Sequence, residues 1–382
     1  MATKHQTPKS LGPPSPNGVG EPAAARGASI AELLDEIPFL TMLRIERKRT
    51  ERSNRPFLLM LLEPWSLLKA RNAQSRLEEF LRLLARTTRE TDIKGWYKQD
   101  SVLAVIFTEV GVADCRTATD ALLARVTDAL SSTLDIEDLS AIRISFHVYP
   151  EDPAVIADRG IADLRLYPDL IANGDRRKAA RWAKRTLDVV GSIIGLAVLS
   201  PLLLAIAAAV KLTSKGPVLF RQERVGLYGT RFTFLKFRSM RSDNDDTVHR
   251  EYVKSFIAGF GEQKIYKLTN DSRVTSLGRF LRRASLDELP QLFNVLLGEM
   301  SLVGPRPSIP YEADAYAPWH RRRMLAVKPG ITGLWQVGGR SRVKFDEMVR
   351  LDVRYAEAWS VWLDLKILCE TPRAVLMGGG AF

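Results

Sequence analysis

Residues 1–28 are polar and rich in Pro, Gly and Ala. Too few large apolar groups stand there to offset the entropy of ordering, so a disordered tail is expected. From Ser29, SIAELLDEIPFLTMLRIERKR has helical periodicity, and Pro38 is expected to kink or split that helix. PFLLMLLE reads as a buried strand and AQSRLEEFLRLLARTTRE as an amphipathic helix. IKGWYKQDSVLAVIFTEV reads as a hairpin turning near Lys98–Asp100. ADCRTATDALLARVTDALSS predicts a second helix and AIRISFHVYP a last strand. The order β-α-β-β-α-β predicts an α+β, ferredoxin-like domain over residues 29–152. Residues 153–180, ending in DRRKAARWAKR, read as a basic linker, and residues 181–382 as a second domain.

The apolar pattern changes at Val189. Up to Val210 the chain reads VVGSIIGLAVLSPLLLAIAAAV, without a charge. A straight helix of that length is about 33 Å long and matches a bilayer core. Ser200 and Pro201 break the run near its middle, where proline removes a backbone donor. The Ser200 hydroxyl is placed to serve a carbonyl that Pro201 frees. Basic residues flank both ends: Arg176, Arg177, Lys178, Arg181, Lys184 and Arg185 before, Lys211 and Lys215 after. A spanning helix concentrates positive charge on one side. These residues leave a Pro-kinked span and a re-entrant helix over about 185–212 both open. Asp188 at the apolar entry needs a partner, and Lys184, Arg185 and Asp188 are expected to cluster at headgroup level.

Composition narrows the partners. The chain has 382 residues, 46% of them hydrophobic, and a net charge of +12, so it has real cores and seeks an anion. Nucleic acid would suit that charge, but the apolar run and the lack of a nucleic-acid motif count against it. Phospholipid and phosphorylated substrates remain, and a homodimer stays open. The two cysteines form no CxxC pair, and the four histidines have no zinc spacing. No N-terminal signal peptide is visible in the polar start.

The chemistry concentrates in RRASLDELPQLFNVLLGEMSLVGPRP, residues 282–307. SLDELPQLFNVLLG has the marks of a helix whose C-cap is Gly298, with Pro290 in its first turn. Ser285 and Glu288 match a capping box, which places Asp287 at or beside the N-cap. Two readings follow. The acids cap the helix and complement its dipole. Alternatively, one binds Mg²⁺ and the other attacks an electrophilic phosphorus, beside N–H groups that suit phosphate. Cations crowd both sides: Lys236 and Arg238 upstream, Arg282 adjacent, Arg306 held between two prolines, and Arg340 downstream. A stiffly held guanidinium suits bidentate phosphate recognition.

KRTLD, the Ser-Pro-broken run, FRQERVG, KFRSM, SLDELPQLFNVLLGEMSLVGPRP and KPGITGLWQV occur in this order. Together they resemble the bacterial sugar transferase family, monotopic phosphoglycosyl transferases that act on polyprenyl phosphate. The resemblance runs from about Lys184 to the C-terminus. It implies a small α/β membrane-associated catalytic domain with a re-entrant, Pro-broken helix. It also implies transfer of a sugar-1-phosphate from a UDP-sugar to undecaprenyl phosphate, releasing UMP, at the cytoplasmic face of the bacterial inner membrane. Such a step opens exopolysaccharide, capsule or other surface-glycan synthesis. By the same resemblance Asp287 is the nucleophile and Glu288 the Mg²⁺ ligand. Arg238, Arg282, Arg306, Lys236 and Arg340 are candidate phosphate binders. RLDVRYAEAWSVWLDLKILCETP, with Trp359 and Trp362, reads as an interfacial or a core-packing helix.

The first half departs from the long members of that family. Its β-α-β-β-α-β order resembles nucleotide-cyclase-like domains of the diguanylate cyclase type, which carry a Gly-Gly-acid-acid-Phe signature at the hairpin. Here the hairpin reads Tyr97, Lys98, Gln99, Asp100, Ser101, without paired glycines. A degenerate, regulatory or scaffolding domain is expected. The rival reading of the whole chain is a membrane-anchored, degenerate cyclase-like signalling protein without transferase activity.

Overall fold

An unbroken apolar strand needs cover on both faces. In the computed structural model, β1 (Phe57–Pro64) has that cover. Leu58, Met60 and Leu62 pack with Phe80 and Leu84 of α2 (Ala73–Thr87) and with Val126 and Leu130 of α3 (Cys115–Ser131). Leu59 and Leu61 pack with Phe39 and Leu43 of α1 (Glu36–Ser53). Each such side chain, fully buried, contributes roughly 1.5–3 kcal/mol. The description covers residues 33–64, 73–108, 110, 115–131, 142–170, 178–240, 247–257, 273–338 and 344–377. The expected tail and Arg340 lie outside these residues.

With β2 (Ile93–Lys98), β3 (Val102–Phe107) and β4 (Ile142–Tyr149), β1 forms an antiparallel sheet of order β2-β3-β1-β4. The order along the chain is the expected β-α-β-β-α-β. Asp100 sits at the hairpin turn with a left-handed φ of 54°. Pro38 neither kinks nor splits α1. The helix begins at Glu36, so Pro38 falls in the first turn, where no intrahelical N–H is needed.

Residues 153–170 were expected to belong to a bare linker. Instead they carry α4 (Pro153–Arg159), and Ala162, Leu166 and Tyr167 are buried in the α1 side of the first core. Leu325 of the second domain joins the same cluster. Two hydrogen bonds reinforce the junction: Ala162 N donates to Tyr228 O at 2.7 Å, and Arg321 Nη1 donates to Glu151 O at 2.5 Å.

α5 (Lys178–Thr213) is one continuous helix of 36 residues with Pro201 inside it. Its middle is largely uncovered, with Val198 at 70% and Leu204 at 71% exposure. Both of its ends dock on the second domain. Asp188 bonds Ser301 and Leu302 near the start, and Ile206 and Val210 pack with Phe237 and Leu281 near the end.

The second domain is built from the hairpin β5 (Leu219–Val225) and β6 (Arg231–Phe237), then α6 (Ser276–Arg283) and α7 (Gln291–Leu297). β7 (Ser301–Val303) pairs in parallel with β8 (Gly330–Thr332). There the VGPRP and KPGIT segments cross backbone to backbone. A Cβ on Gly330 would stand 2.0 Å from Gly304 N, so only glycine allows this approach. The C-terminal segment splits into α8 (Phe345–Ala358) and α9 (Val361–Met377). Trp359 is buried and donates Nε1–H to Asp364 Oδ2 at 3.0 Å, whereas Trp362 is 77% exposed. The two tryptophans thus divide the core and surface readings between them.

Candidate active site

Asp287 and Glu288 stand on a 3-10 turn, Leu286–Glu288, between α6 and α7. Ser285 opens the turn in the left-handed region, φ 55°, a conformation costly for a serine. Its side chain makes no cap hydrogen bond, so the expected Ser285–Glu288 capping box does not form. α7 itself begins at Gln291, after Pro290. Asp287 therefore lies a turn ahead of the helix rather than at its N-cap. It is buried and Glu288 is half-buried. Gly298, φ 89°, ends α7 as expected.

α7 is held at its middle and at its C-terminal end. Buried Asn294 donates Nδ2–H to Thr233 O at 2.7 Å and accepts from Leu235 N at 3.1 Å, which ties the helix to β6. Arg185 donates to Val295 O and Leu296 O, each at 2.7 Å, and Lys328 donates to Gly298 O at 2.6 Å. These cations meet the carbonyl end of the helix, where its dipole favours them.

Lys236 of β6 joins the acids electrostatically. Burial first, then Arg224, push its ammonium down to about 8. Asp287 and Glu288 oppose that shift, and Arg282 adds to it. One half-buried ammonium thus shares its surroundings with both acids and two guanidiniums. Arg224 also holds the GPRP segment: Nη1 donates to Pro307 O at 2.9 Å, and the guanidinium lies 5.0 Å from the Phe234 ring centroid. The carbonyl of Arg306 accepts from Arg323 Nη2 at 2.9 Å. Gln291 begins α7 with a buried Nε2 that has no hydrogen-bond partner among the described residues.

Other expectations change. Among the described residues Arg238 has no hydrogen bond to the acid pair, and its buried Nε and Nη1 have no hydrogen-bond partner. It is buried at the far end of α5, where Nη2 donates to Ser214 O and Ser214 Oγ at 2.8 Å each. Lys184, Arg185 and Asp188 do not bond one another at headgroup level, because each finds a partner inside the domain. Lys184 Nζ bonds Asp364 Oδ2 at 2.7 Å, Arg185 caps α7, and Asp188 Oδ1 accepts from Ser301 Oγ and Leu302 N at 2.9 Å each. The three are docking residues.

Sequence reasoning did not single out Asn294 or the buried pair Arg323–Asp352, 2.8 Å apart. An asparagine inside the apolar run QLFNVLL was the available signal for the first. Among the described residues, no group of three His, Cys, Asp or Glu side chains is placed to hold a metal. Two adjacent carboxylates nonetheless fit Mg²⁺, which takes one or two such ligands and completes its shell with substrate phosphates and water.

A family profile described as bacterial sugar transferase matches residues 179–378. The chain belongs to that family. It is 45% identical over 200 residues to the galactosyl transferase CpsE of Streptococcus agalactiae, covering 52% of this chain and 43% of that one. It is 42% identical over 212 residues to the undecaprenyl-phosphate galactose phosphotransferase of Salmonella typhimurium, covering 56% and 44%. With the exopolysaccharide production protein ExoY of Rhizobium meliloti it shares 39% identity over 213 residues, covering 55% and 92%. The chain spans less than half the length of the first two relatives. A solved DGC protein from Thermotoga maritima aligns over 31% of this chain and 84% of its own at 21% identity and a TM-score of 0.26, so the fold of the first domain rests on its own strand order.

Proposed function

We propose that the protein transfers a sugar-1-phosphate from a UDP-sugar to undecaprenyl phosphate and releases UMP. The carrying observation is the acid pair on its strained turn, sharing Lys236's surroundings with Arg282 and Arg224. A helix cap has no need of that cation group, whereas a diphosphate does.

The step balances without a proton. An Asp287 carboxylate oxygen attacks the sugar-linked phosphorus. The bond from that phosphorus to the bridging oxygen breaks, and UMP leaves with the electron pair. An oxygen of undecaprenyl phosphate then attacks the same phosphorus, and the Asp287 carboxylate departs. Lys236, Arg282 and Arg306 neutralise phosphate charge. Glu288 would hold Mg²⁺, which when bound would offset the charge of the diphosphate.

Reaction at one membrane face is supported by the docking of α5. Asp188 and Val210 are separated by about 33 Å of helix, yet both touch the same domain. A bilayer-crossing helix would place those contacts on opposite sides. Bending at Pro201 and entering from the cytoplasmic face keeps them on one. α6 and α7 expose Phe280, Phe293 and Leu297 at 61%, 45% and 72%, and both pack against α5, giving the bilayer an apolar platform. The first domain is a regulatory or scaffolding unit. Incubating the purified protein with a panel of UDP-sugars, Mg²⁺ and undecaprenyl phosphate tests the reading. UMP release with at least one donor is expected, and release with none would refute it.

A further inference from the structure

A cavity of about 580 Å³ lies where the first domain meets the second, lined from α1, α5, the segment before α5, Leu227, residues 322–328 and the end of α8 with Trp359. It holds none of the acid-pair residues. Eight cationic and three acidic side chains line it. Five of the cations are engaged. Arg47 pairs with Asp169, Lys184 with Asp364, and Arg322 with Glu357 at 3.6 Å, while Arg185 and Lys328 bind the carbonyl end of α7. Arg44, Lys48 and Arg181 have no ion pair or hydrogen-bond partner among the described residues. Arg44 and Lys48 are four residues apart, on one face of α1. Arg181 faces them from the base of α5.

We propose that this cavity binds a phosphorylated anion, held by Arg44 and Lys48 from one domain and by Arg181 from the other. Three cations without a partner among the described residues repel one another around one cavity, and a multivalent anion removes that cost. The crowding shows at the wall: beyond burial, Arg185, Lys184 and Arg181 push the Lys328 ammonium below its ordinary range, although Asp188 opposes them. Tyr167, Leu170, Val353 and Trp359 supply an apolar side, so the ligand combines phosphate with an apolar or planar body. Arg44 and Lys48 are exposed, so an anion can reach them.

The position implies a consequence. Arg185 and Lys328 cap the rear of α7, and the acid pair precedes its front. An anion drawing either cation into the cavity loosens the helix behind Asp287. The site thus couples the first domain to the catalytic turn.

Such phosphate has two sources, a soluble nucleotide-like metabolite or a lipid headgroup at the start of the apolar run. Calorimetry with inorganic pyrophosphate on the full-length protein in phosphatidylcholine nanodiscs tests the soluble source. Retention on phosphatidylglycerol-containing vesicles tests the lipid. The double variant Arg44→Glu/Lys48→Glu is compared with Arg86→Glu, which reverses an exposed charge outside the cavity. At least about tenfold weaker pyrophosphate binding in the double variant alone supports a soluble ligand. Loss of vesicle retention in the double variant alone supports a headgroup. Equal behaviour of the two variants in both assays overturns the proposal. So does pyrophosphate binding that survives the double substitution and disappears in Lys236→Met.

Discussion

The Ser200 hydroxyl donates to the carbonyl of Ala197 at 2.8 Å. In a regular helix that carbonyl would accept from the N–H of residue 201, which proline lacks. Serine thereby satisfies the group that its neighbour orphans, and α5 can hold a proline in an apolar setting. The proposed one-sided reaction requires that the helix enter the membrane and return on the same side. Cysteines placed at Lys178 and Lys215 in a Cys115→Ser/Cys369→Ser background should both react with an impermeant maleimide in inside-out vesicles. Neither should react in intact spheroplasts. One cysteine labelled from each side would mean a span.

Lys236 must be charged to hold phosphate, and its ammonium is pushed down to about 8. Activity should therefore fall as pH rises through about 8. Lys236→Arg should move that limb upward, because guanidinium stays protonated. Lys236→Met should lower kcat/KM about 10- to 100-fold, the effect of one charge-assisted hydrogen bond. An unchanged alkaline limb in Lys236→Arg would remove Lys236 from the site.

Arg238 should behave as a structural residue. Arg238→Met removes the guanidinium from the end of α5, so the melting temperature should drop. KM for the UDP-sugar should stay within about twofold, since no phosphate contact is lost. A large rise in KM without loss of stability would restore the phosphate role.

The buried pair Arg323–Asp352 predicts a pH-dependent stability. Burial lifts the Asp352 carboxyl to about 6 in the folded protein, although Arg323 opposes the shift. A carboxyl raised on folding stabilises most below its unfolded value of about 3.9, and that contribution is lost as pH rises through about 6. Arg323→Met leaves the carboxylate unpaired. It should cost about 3–5 kcal/mol near pH 7.5 and less near pH 5, read from denaturant melts. An equal cost at both values would mean that Asp352 does not titrate there.

Much of the fold could be read from short-range signals. The β-α-β-β-α-β order follows from alternation and helical period, and the unbroken FLLMLL run already asked for cover on both faces. What covers the second face, α1 with Tyr167 and Leu325, could not be read, because those partners are distant in sequence. The acid pair stood out by its adjacency and its cations. Its backbone did not: Ser285 and Glu288 match a capping box, but the left-handed φ of Ser285 directs the chain into a 3-10 turn. Arg238 was assigned by its charge and the family resemblance, and Lys184, Arg185 and Asp188 by their place at the apolar entry. Charge does not reveal which carbonyls and hydroxyls a folded chain brings to a side chain.

The central claim is that Asp287 forms a covalent bond to phosphorus. Intact-protein mass spectrometry after incubation with a turnover-competent UDP-sugar and Mg²⁺, without undecaprenyl phosphate, tests it most directly. The wild-type chain should gain the mass of a sugar phosphate, and folded Asp287→Asn should gain none. The same adduct on Asp287→Asn, or its mapping to another residue, would contradict the account.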